Sequence, residues 1–152
     1  MTVAAKYVHT NIVSKNWEQL ARFYEKVFGC KRVLPERDMS GKWIEDGTGV
    51  PDVHIKGIHL RLPGYGELGP TLEIFQYNKY LNTGKAQVNQ PGFAHIAFGV
   101  DDVEDALNKV LSEGGGQLGK VVKKEIPEVG ILTFVYAKDP EGNIIELQNW
   151  KK

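Results

Sequence analysis

The feature that most limits the fold of this 152-residue chain is a pattern of residues that occurs twice. Each half opens with a strand-like stretch that contains a histidine, His9 in the first half and His95 in the second. Each half closes with an apolar stretch that contains a glutamate, Glu73 or Glu146. Between these stretches lie one segment with helical spacing of apolar residues and further strand-like segments. The repetition predicts an internal duplication in which each half has one helix and one small sheet.

A helix is predicted directly after the opening strand of each half. In the first half Asn16 is a suitable N-cap, and apolar residues then recur at three- and four-residue steps up to Gly29, which suits a left-handed C-cap. In the second half Asp101 or Asp102 is the expected N-cap, and the glycines of 114–116 are expected to end the helix. The order in each half is therefore strand, helix and then three more strands.

The remaining strands are predicted at about 31–36, 53–62, 70–78, 117–123, 130–138 and 143–149. Residues 37–52 are polar and contain several glycines, so they are interpreted as a long loop. Neither half would bury enough surface alone, because small domains bury a smaller fraction of their chain. We therefore expect one domain over 1–152, with a first βαβββ module at 5–78 and a second at 92–150, in the α+β class.

Composition argues against several classes of protein. Nineteen basic residues balance nineteen acidic ones, so the chain lacks the excess positive charge typical of proteins that bind nucleic acid or membrane surfaces. No apolar run approaches the roughly 18 residues of a membrane-spanning helix, and no signal peptide is recognisable. The single cysteine, Cys30, excludes an intramolecular disulfide. We expect a cytoplasmic protein with no nucleic-acid or membrane partner.

The candidate metal ligands are four side chains in the middle of otherwise apolar strands, His9, Glu73, His95 and Glu146. Taken singly, a strand histidine is more often a hydrogen-bonded residue, and a strand glutamate usually faces solvent. The same two residue types at matching places in both halves favour a shared site, since an unpartnered charge there would be costly. Two imidazoles and two carboxylates suit Zn, Ni, Co, Mn or Fe(II), with positions left for water or substrate.

At these residues the sequence resembles the vicinal oxygen chelate superfamily, which includes glyoxalase I, methylmalonyl-CoA epimerase, extradiol dioxygenases and fosfomycin and bleomycin resistance proteins. The segments that carry the resemblance are His9–Val13 with Phe23–Gly29, Thr71–Phe75, Gly92–Asp102 and Asp139–Leu147. The resemblance implies paired βαβββ modules that form a cupped mixed sheet around a metal cleft, with the four candidate ligands at the family's metal positions. The His/Glu/His/Glu set looks like that of glyoxalase I. Methylmalonyl-CoA epimerases more often have glutamine at the second position, and extradiol dioxygenases use two histidines and one carboxylate.

The resemblance also implies a reaction, metal-assisted proton transfer next to a carbonyl. The metal would bind two neighbouring substrate oxygens and stabilise an enediolate, while one glutamate removes and returns a proton. Glu146 is the expected base and Glu73 its counterpart. The chain is thus expected to be a metal-dependent lyase or isomerase of the glyoxalase type that acts on a small molecule. It is also expected to be a homodimer, in which both chains can contribute to a site.

Two departures from bacterial glyoxalase I concern the substrate. The arginine that family members use for glutathione, four residues after the first histidine, is Val13 here, and the asparagine four residues after the first glutamate is Tyr77. These departures argue against a glutathione thiohemiacetal as substrate. The alternatives are an acyl-CoA epimerase, as for methylmalonyl-CoA, and a small-molecule-binding protein of the resistance type.

Several other residues are interpreted mainly as structural. His54 and His59 lie five residues apart on one predicted strand, so they face opposite sides unless Gly57 marks a bulge, and neither is expected near the site. Arg61 could bind a substrate carboxylate, but a surface position is favoured. Trp43, in the predicted long loop, is a candidate lid over the substrate.

Overall fold

The computed structural model describes residues 1–82 and 84–152, and these two ranges form two compact units. The elements of the first unit are β1 His9–Val13, α1 Trp17–Phe28, β2 Lys31–Ser40, α2 Lys42–Thr48, β3 His54–Arg61 and β4 Thr71–Tyr77. Those of the second unit are β5 His95–Gly99, α3 Val103–Ser112, β6 Gly116–Gln117, β7 Val122–Ile126, β8 Gly130–Lys138 and β9 Ile144–Lys151.

Each unit contains one mixed sheet with the same topology. The first sheet has the strand order β1-β4-β3-β2, and the second has the order β5-β9-β8-β6, with β7 also paired to β8. The opening strand of each unit runs parallel to the closing strand, and the other pairs are antiparallel. The α+β class and the two duplicated βαβββ modules predicted from the sequence are therefore confirmed.

The register of the strands repeats as well as their order. In the first sheet Asn11 of β1 lies opposite Glu73 of β4, and in the second sheet Ala97 of β5 lies opposite Glu146 of β9. In both opening strands the candidate histidine precedes that position by two residues. Because side chains alternate between the two faces of a strand, each histidine shares a face with the glutamate of its own unit.

The predicted caps Asn16, Gly29 and Asp102 are confirmed, whereas the C-cap of α3 is Glu113, directly before the glycines expected to end that helix. The Asn16 side chain accepts a hydrogen bond from the Gln19 backbone N–H at 3.2 Å, and Gly29 is left-handed with φ of 69°. The Asp102 side chain accepts from the Asp105 backbone N–H at 2.9 Å. None of the helices in the described part of the chain combines the length and the apolar character needed to cross a membrane.

The core of the first unit lies between α1 and one face of its sheet. The sheet residues that fill this core are fully or almost fully buried, and they are Ile58, Leu60, Leu72 and Ile74. Helix α1 is fixed to the same face, since the Gln76 side chain accepts a hydrogen bond from the Trp17 backbone N–H at 3.1 Å. Alternation then places Glu73 and His59 on the opposite face, which we call the site face of the first sheet.

The prediction of a long loop over 37–52 is wrong. Strand β2 continues to Ser40, and helix α2 follows immediately. The glycines that suggested a loop are helix-terminal residues, because Gly41 is the N-cap of α2 and Gly49 is its left-handed C-cap with φ of 72°. The helix is held by Ile44, which packs against a buried cluster on the sheet, Val53, Ile55 and Phe75.

The prediction of one strand over 117–123 is also wrong. Two short strands, β6 and β7, pair with the same edge of β8 instead. Between them the backbone N–H groups of Leu118 and Gly119 both donate to the Tyr136 carbonyl, at 2.9 and 3.2 Å. The first sheet has its irregularity at the equivalent place, between Val33 and Arg37 of β2. The duplication therefore extends to an interruption of the pairing along one edge of each sheet.

Candidate metal centre

Glu73 is the centre of a polar cluster on the site face of the first sheet. Its Oε1 accepts a hydrogen bond from the Asn11 side chain at 2.8 Å and lies 3.6 Å from His9 Nε2. Its Oε2 lies 2.7 Å from His59 Nε2. Only 11% of the Glu73 side chain is exposed, so the carboxylate depends on these neighbours for its polar contacts. We call Glu73, His9, His59 and Asn11 the first cluster.

Strand register brings the first cluster together. Asn11, Glu73 and His59 stand in one row across β1, β4 and β3, because each lies opposite the next. His9 shares their face two residues earlier on β1. Because this polar row crosses the inner strands β4 and β3, each of its side chains needs a hydrogen-bond partner. Glu73 is that partner for both Asn11 and His59.

The first cluster fits a divalent metal ion. His9, His59 and Glu73 each offer one ligand atom, and these atoms lie within 4.8 Å of one another. Two imidazole nitrogens and a carboxylate oxygen are ligands that Zn, Ni, Co, Mn and Fe(II) accept. The other ring nitrogen of His59, Nδ1, is 3.2 Å from the Thr71 hydroxyl, which is the kind of contact that orients a ligating histidine.

The surroundings of His59 favour its neutral form. Burial lowers the pKa of His59, the Glu73 carboxylate opposes this effect, and the positive charges of Arg37, His9 and Arg61 lower the pKa further. A neutral imidazole keeps a nitrogen lone pair for a metal ion or for a hydrogen bond.

The second unit holds the corresponding pair, His95 and Glu146. His95 Nε2 lies 3.1 Å from Glu146 Oε2. Tyr136 stands opposite Glu146 on β8, and its ring centroid is 5.1 Å from that of His95. Tyr136 therefore takes the position that His59 has in the first unit. We call these three residues the second cluster.

The four predicted ligands lie in two pairs, His9 with Glu73 in the first unit and His95 with Glu146 in the second. In the first unit His59 also contacts Glu73. The expectation that neither His54 nor His59 is near the site is wrong for His59. The two histidines do face opposite sides, because β3 pairs with β4 without a register shift at Gly57, and His54 contacts Asp38 instead. The sequence held a usable signal, since His59 and Glu73 lie at equal distances from Gly66 in the turn that joins β3 to β4.

The structure also gives positions for Arg61 and Trp43, the two other residues considered as substrate contacts. Arg61, for which a surface position is predicted, is half-buried on the site face and donates a hydrogen bond to the Gly69 carbonyl. Trp43 lies on α2, where it is largely exposed and its indole N–H donates to the Ser40 carbonyl at 2.9 Å. Its role as a lid stays a prediction.

Comparison with known proteins decides the family. The model of the Glyoxalase/Bleomycin resistance protein/Dioxygenase superfamily matches residues 6–147. The chain belongs to this superfamily. It is 26% identical to a probable lactoylglutathione lyase of Synechocystis sp. over 92% of each chain. It is 27% identical to the lactoylglutathione lyase of Schizosaccharomyces pombe over 93% of this chain, but it spans only 46% of that protein's length.

Solved structures support the same fold. A glyoxalase family protein from Bacillus cereus superposes with a TM-score of 0.79 over 100% of this chain and 97% of the other, at 17% identity. A glyoxalase family protein from Enterococcus faecalis matches with a TM-score of 0.59 over 94% of this chain and 96% of the other, at 19% identity. At these identities the superfamily members share the fold with this chain, and the chemistry has to be argued from its own residues.

Replacement of His59 by alanine should weaken binding of a divalent metal by about 10- to 100-fold, the range seen when a group that supports a metal site is lost. The reason is its 2.7 Å contact with Glu73. Competition with a chromophoric chelator measures the affinity. His54→Ala is the matched control, because it removes a histidine of the same strand from the other face. Equal affinities in the two variants would show that His59 has no part in the centre.

Proposed function

We propose that the protein is a metal-dependent lyase or isomerase of the glyoxalase type, which transfers a proton next to a carbonyl of a small-molecule substrate. The proposed metal ligands are His9, Glu73, His95 and Glu146, and His59 is proposed to support them by its 2.7 Å contact with the Glu73 carboxylate. The observation that carries the proposal is the recurrence of a His–Glu contact, at 3.6 Å in the first unit and 3.1 Å in the second. The names of the Synechocystis and Schizosaccharomyces pombe relatives support a reaction of the lactoylglutathione lyase type.

A divalent ion supplies Lewis-acid polarisation of substrate oxygens when it is bound. The chain's own residues must then move the proton. The Glu73 carboxylate is held at both oxygens, by Asn11 and His9 on one side and by His59 on the other. In the described residues Glu146 is contacted through Oε2 by His95, which leaves Oε1 for a reacting group. We therefore propose Glu146 as the base and Glu73 as its fixed counterpart.

The proposed step requires Glu146 to accept a proton from the carbon beside the carbonyl. The electron pair of the broken C–H bond moves into the bond with the carbonyl carbon, and the carbonyl oxygen takes up negative charge. Where the first carbon carries a hydroxyl group, transfer of the hydroxyl proton to the former carbonyl oxygen, together with return of the carbon-bound proton to the former carbonyl carbon, gives an isomerised product. Return to the opposite face of the first carbon gives an epimer, the product of the alternative acyl-CoA epimerase.

A glutathione conjugate is not the proposed substrate. The position of the family's glutathione-binding arginine is Val13, which lies exposed near the end of β1 and carries no charge. Tyr77 stands at the position of the family's asparagine. Thioesters or hydroxycarbonyl compounds of another kind satisfy the same chemistry next to the carbonyl.

Deuterium exchange tests the proposed function. Metal-loaded protein is incubated in D2O with lactoyl and methylmalonyl thioesters of N-acetylcysteamine, and proton NMR follows the signal beside the carbonyl. The proposal expects exchange of the lactoyl thioester above the rate without protein. Exchange of the methylmalonyl thioester alone would favour the epimerase. Metal binding with no exchange on either thioester would contradict the proposed reaction and leave a binding protein.

A further inference from the structure

Two arginines flank the first cluster on the site face. Arg61 lies two residues after His59 on β3, opposite Thr71, whose hydroxyl is 3.2 Å from His59 Nδ1. Arg37 of β2 lies opposite Gly57, two residues before His59. Residues 57, 59 and 61 share one face because side chains alternate along a strand. A guanidinium side chain is therefore placed on each side of His59.

Both arginines keep hydrogen-bond donors for a ligand. Within residues 1–82 and 84–152, the contacts of Arg37 and Arg61 are to backbone carbonyls, those of Pro35 and Gly69, and neither arginine forms an ion pair. Arg32, by contrast, is paired with Glu18 at 2.9 Å and with neighbouring carboxylates. A guanidinium has five N–H donors. Arg37 and Arg61 are both half-buried, and most of the N–H donors of each remain available to a ligand.

The fold itself does not require a cation at the Arg37 position. The equivalent residue after the interruption in the second sheet is Val122, which lies opposite Phe134 as Arg37 lies opposite Gly57.

We propose that the substrate carries a carboxylate group a few atoms from the oxygens that react, and that Arg37 and Arg61 bind this carboxylate. A guanidinium presents two parallel N–H donors that match the two oxygens of a carboxylate. A partly buried pair of this kind is stronger than an exposed one, since less water competes for its hydrogen bonds. The inference rests on the proposed function, because the cluster must hold the reacting end of the substrate.

A matched pair of chelators tests the inference. Acetohydroxamic acid and succinic acid monohydroxamate share one bidentate metal-binding group, and only the second has a carboxylate. Isothermal titration of the metal-loaded protein is expected to show succinic acid monohydroxamate binding at least about tenfold more tightly, which corresponds to one charge-assisted hydrogen-bonded contact.

Arginine variants show whether the preference for the carboxylate comes from its contacts with Arg37 and Arg61 or from the general attraction of the metal ion for an anion. Arg37→Gln and Arg61→Gln are expected to remove most of the preference for the carboxylate, and Arg37→Lys is expected to keep part of it because the charge stays. Arg22→Gln is the control, since Arg22 is exposed on α1 and paired with Glu18 at 3.5 Å. Its preference should equal that of the wild type.

The outcomes distinguish the inference from the proposed function. If both hydroxamates bind with equal affinity, or if Arg37→Gln and Arg61→Gln keep the full preference, the carboxylate site is overturned and the metal-dependent reaction is not. If the protein holds no metal and binds neither hydroxamate, both proposals are overturned. Circular dichroism of each variant verifies that a lost preference does not come from unfolding.

Discussion

Glu146→Gln is expected to reduce the rate of proton transfer by about 10²- to 10⁴-fold, the usual contribution of a general base. The amide has the size and shape of the carboxylate, but it cannot accept a proton from carbon at neutral pH. Its oxygen can still meet the His95 ring, which lies 3.1 Å from the carboxylate in the wild type, so the sheet should remain intact. The initial rate of deuterium incorporation beside the carbonyl measures the effect.

Glu125→Gln is the control for this prediction, because Glu125 is an exposed residue of β7 in the same unit. The control should exchange at the wild-type rate. If Glu146→Gln keeps the wild-type rate at saturating metal while Glu73→Gln, also saturated with metal, loses it, the roles that we propose for the two glutamates are reversed. Retention of the rate in both glutamine variants would mean that neither carboxylate moves the proton.

Glu73→Gln is expected to lower the affinity for a divalent metal by at least about 100-fold, because it removes the charge of a central ligand rather than of a supporting group. The amide oxygen can replace Oε1 as the acceptor for Asn11, which donates at 2.8 Å in the wild type. Loss of metal should therefore occur without loss of the fold. Chelator competition and thermal unfolding of the same samples measure the two effects separately.

Glu73→Ala provides the comparison. It leaves Asn11 and His59 without their shared acceptor, so it should lose metal and also destabilise the protein by about 1–3 kcal/mol. If Glu73→Gln binds metal as tightly as the wild type, the buried carboxylate has a structural role only. The first cluster would then be a hydrogen-bonded row rather than a metal centre.

The sequence predicted the parts of the fold that depend on local patterns. Asn16, Gly29 and Asp102 mark helix ends through residue types that satisfy free backbone groups or adopt a left-handed backbone, so those boundaries were correct. The duplication predicts one set of four ligands, His9, Glu73, His95 and Glu146, and the register of each sheet puts one histidine and one glutamate of this set on the same face of each unit.

The errors arose where contacts distant in sequence decide the structure. Helix α2 is stabilised by Ile44 against Val53 and Ile55, a contact that glycine content alone does not reveal. The sequence alone predicts His59 away from the site because its own strand does not show which face Glu73 occupies. That face depends on the register between β3 and β4, where the two residues lie opposite each other. Arg37 reaches the site face through a bulge in β2, which also required the register.

Metal content is the most direct test of the central claim. Elemental analysis of protein purified without added metal should find about one Zn, Ni, Co, Mn or Fe per chain. The same preparation of His95→Ala and of Glu73→Ala should contain little metal. Wild-type protein that holds no metal even after reconstitution, or variants with the metal content of the wild type, would contradict a metal-dependent enzyme built on these residues.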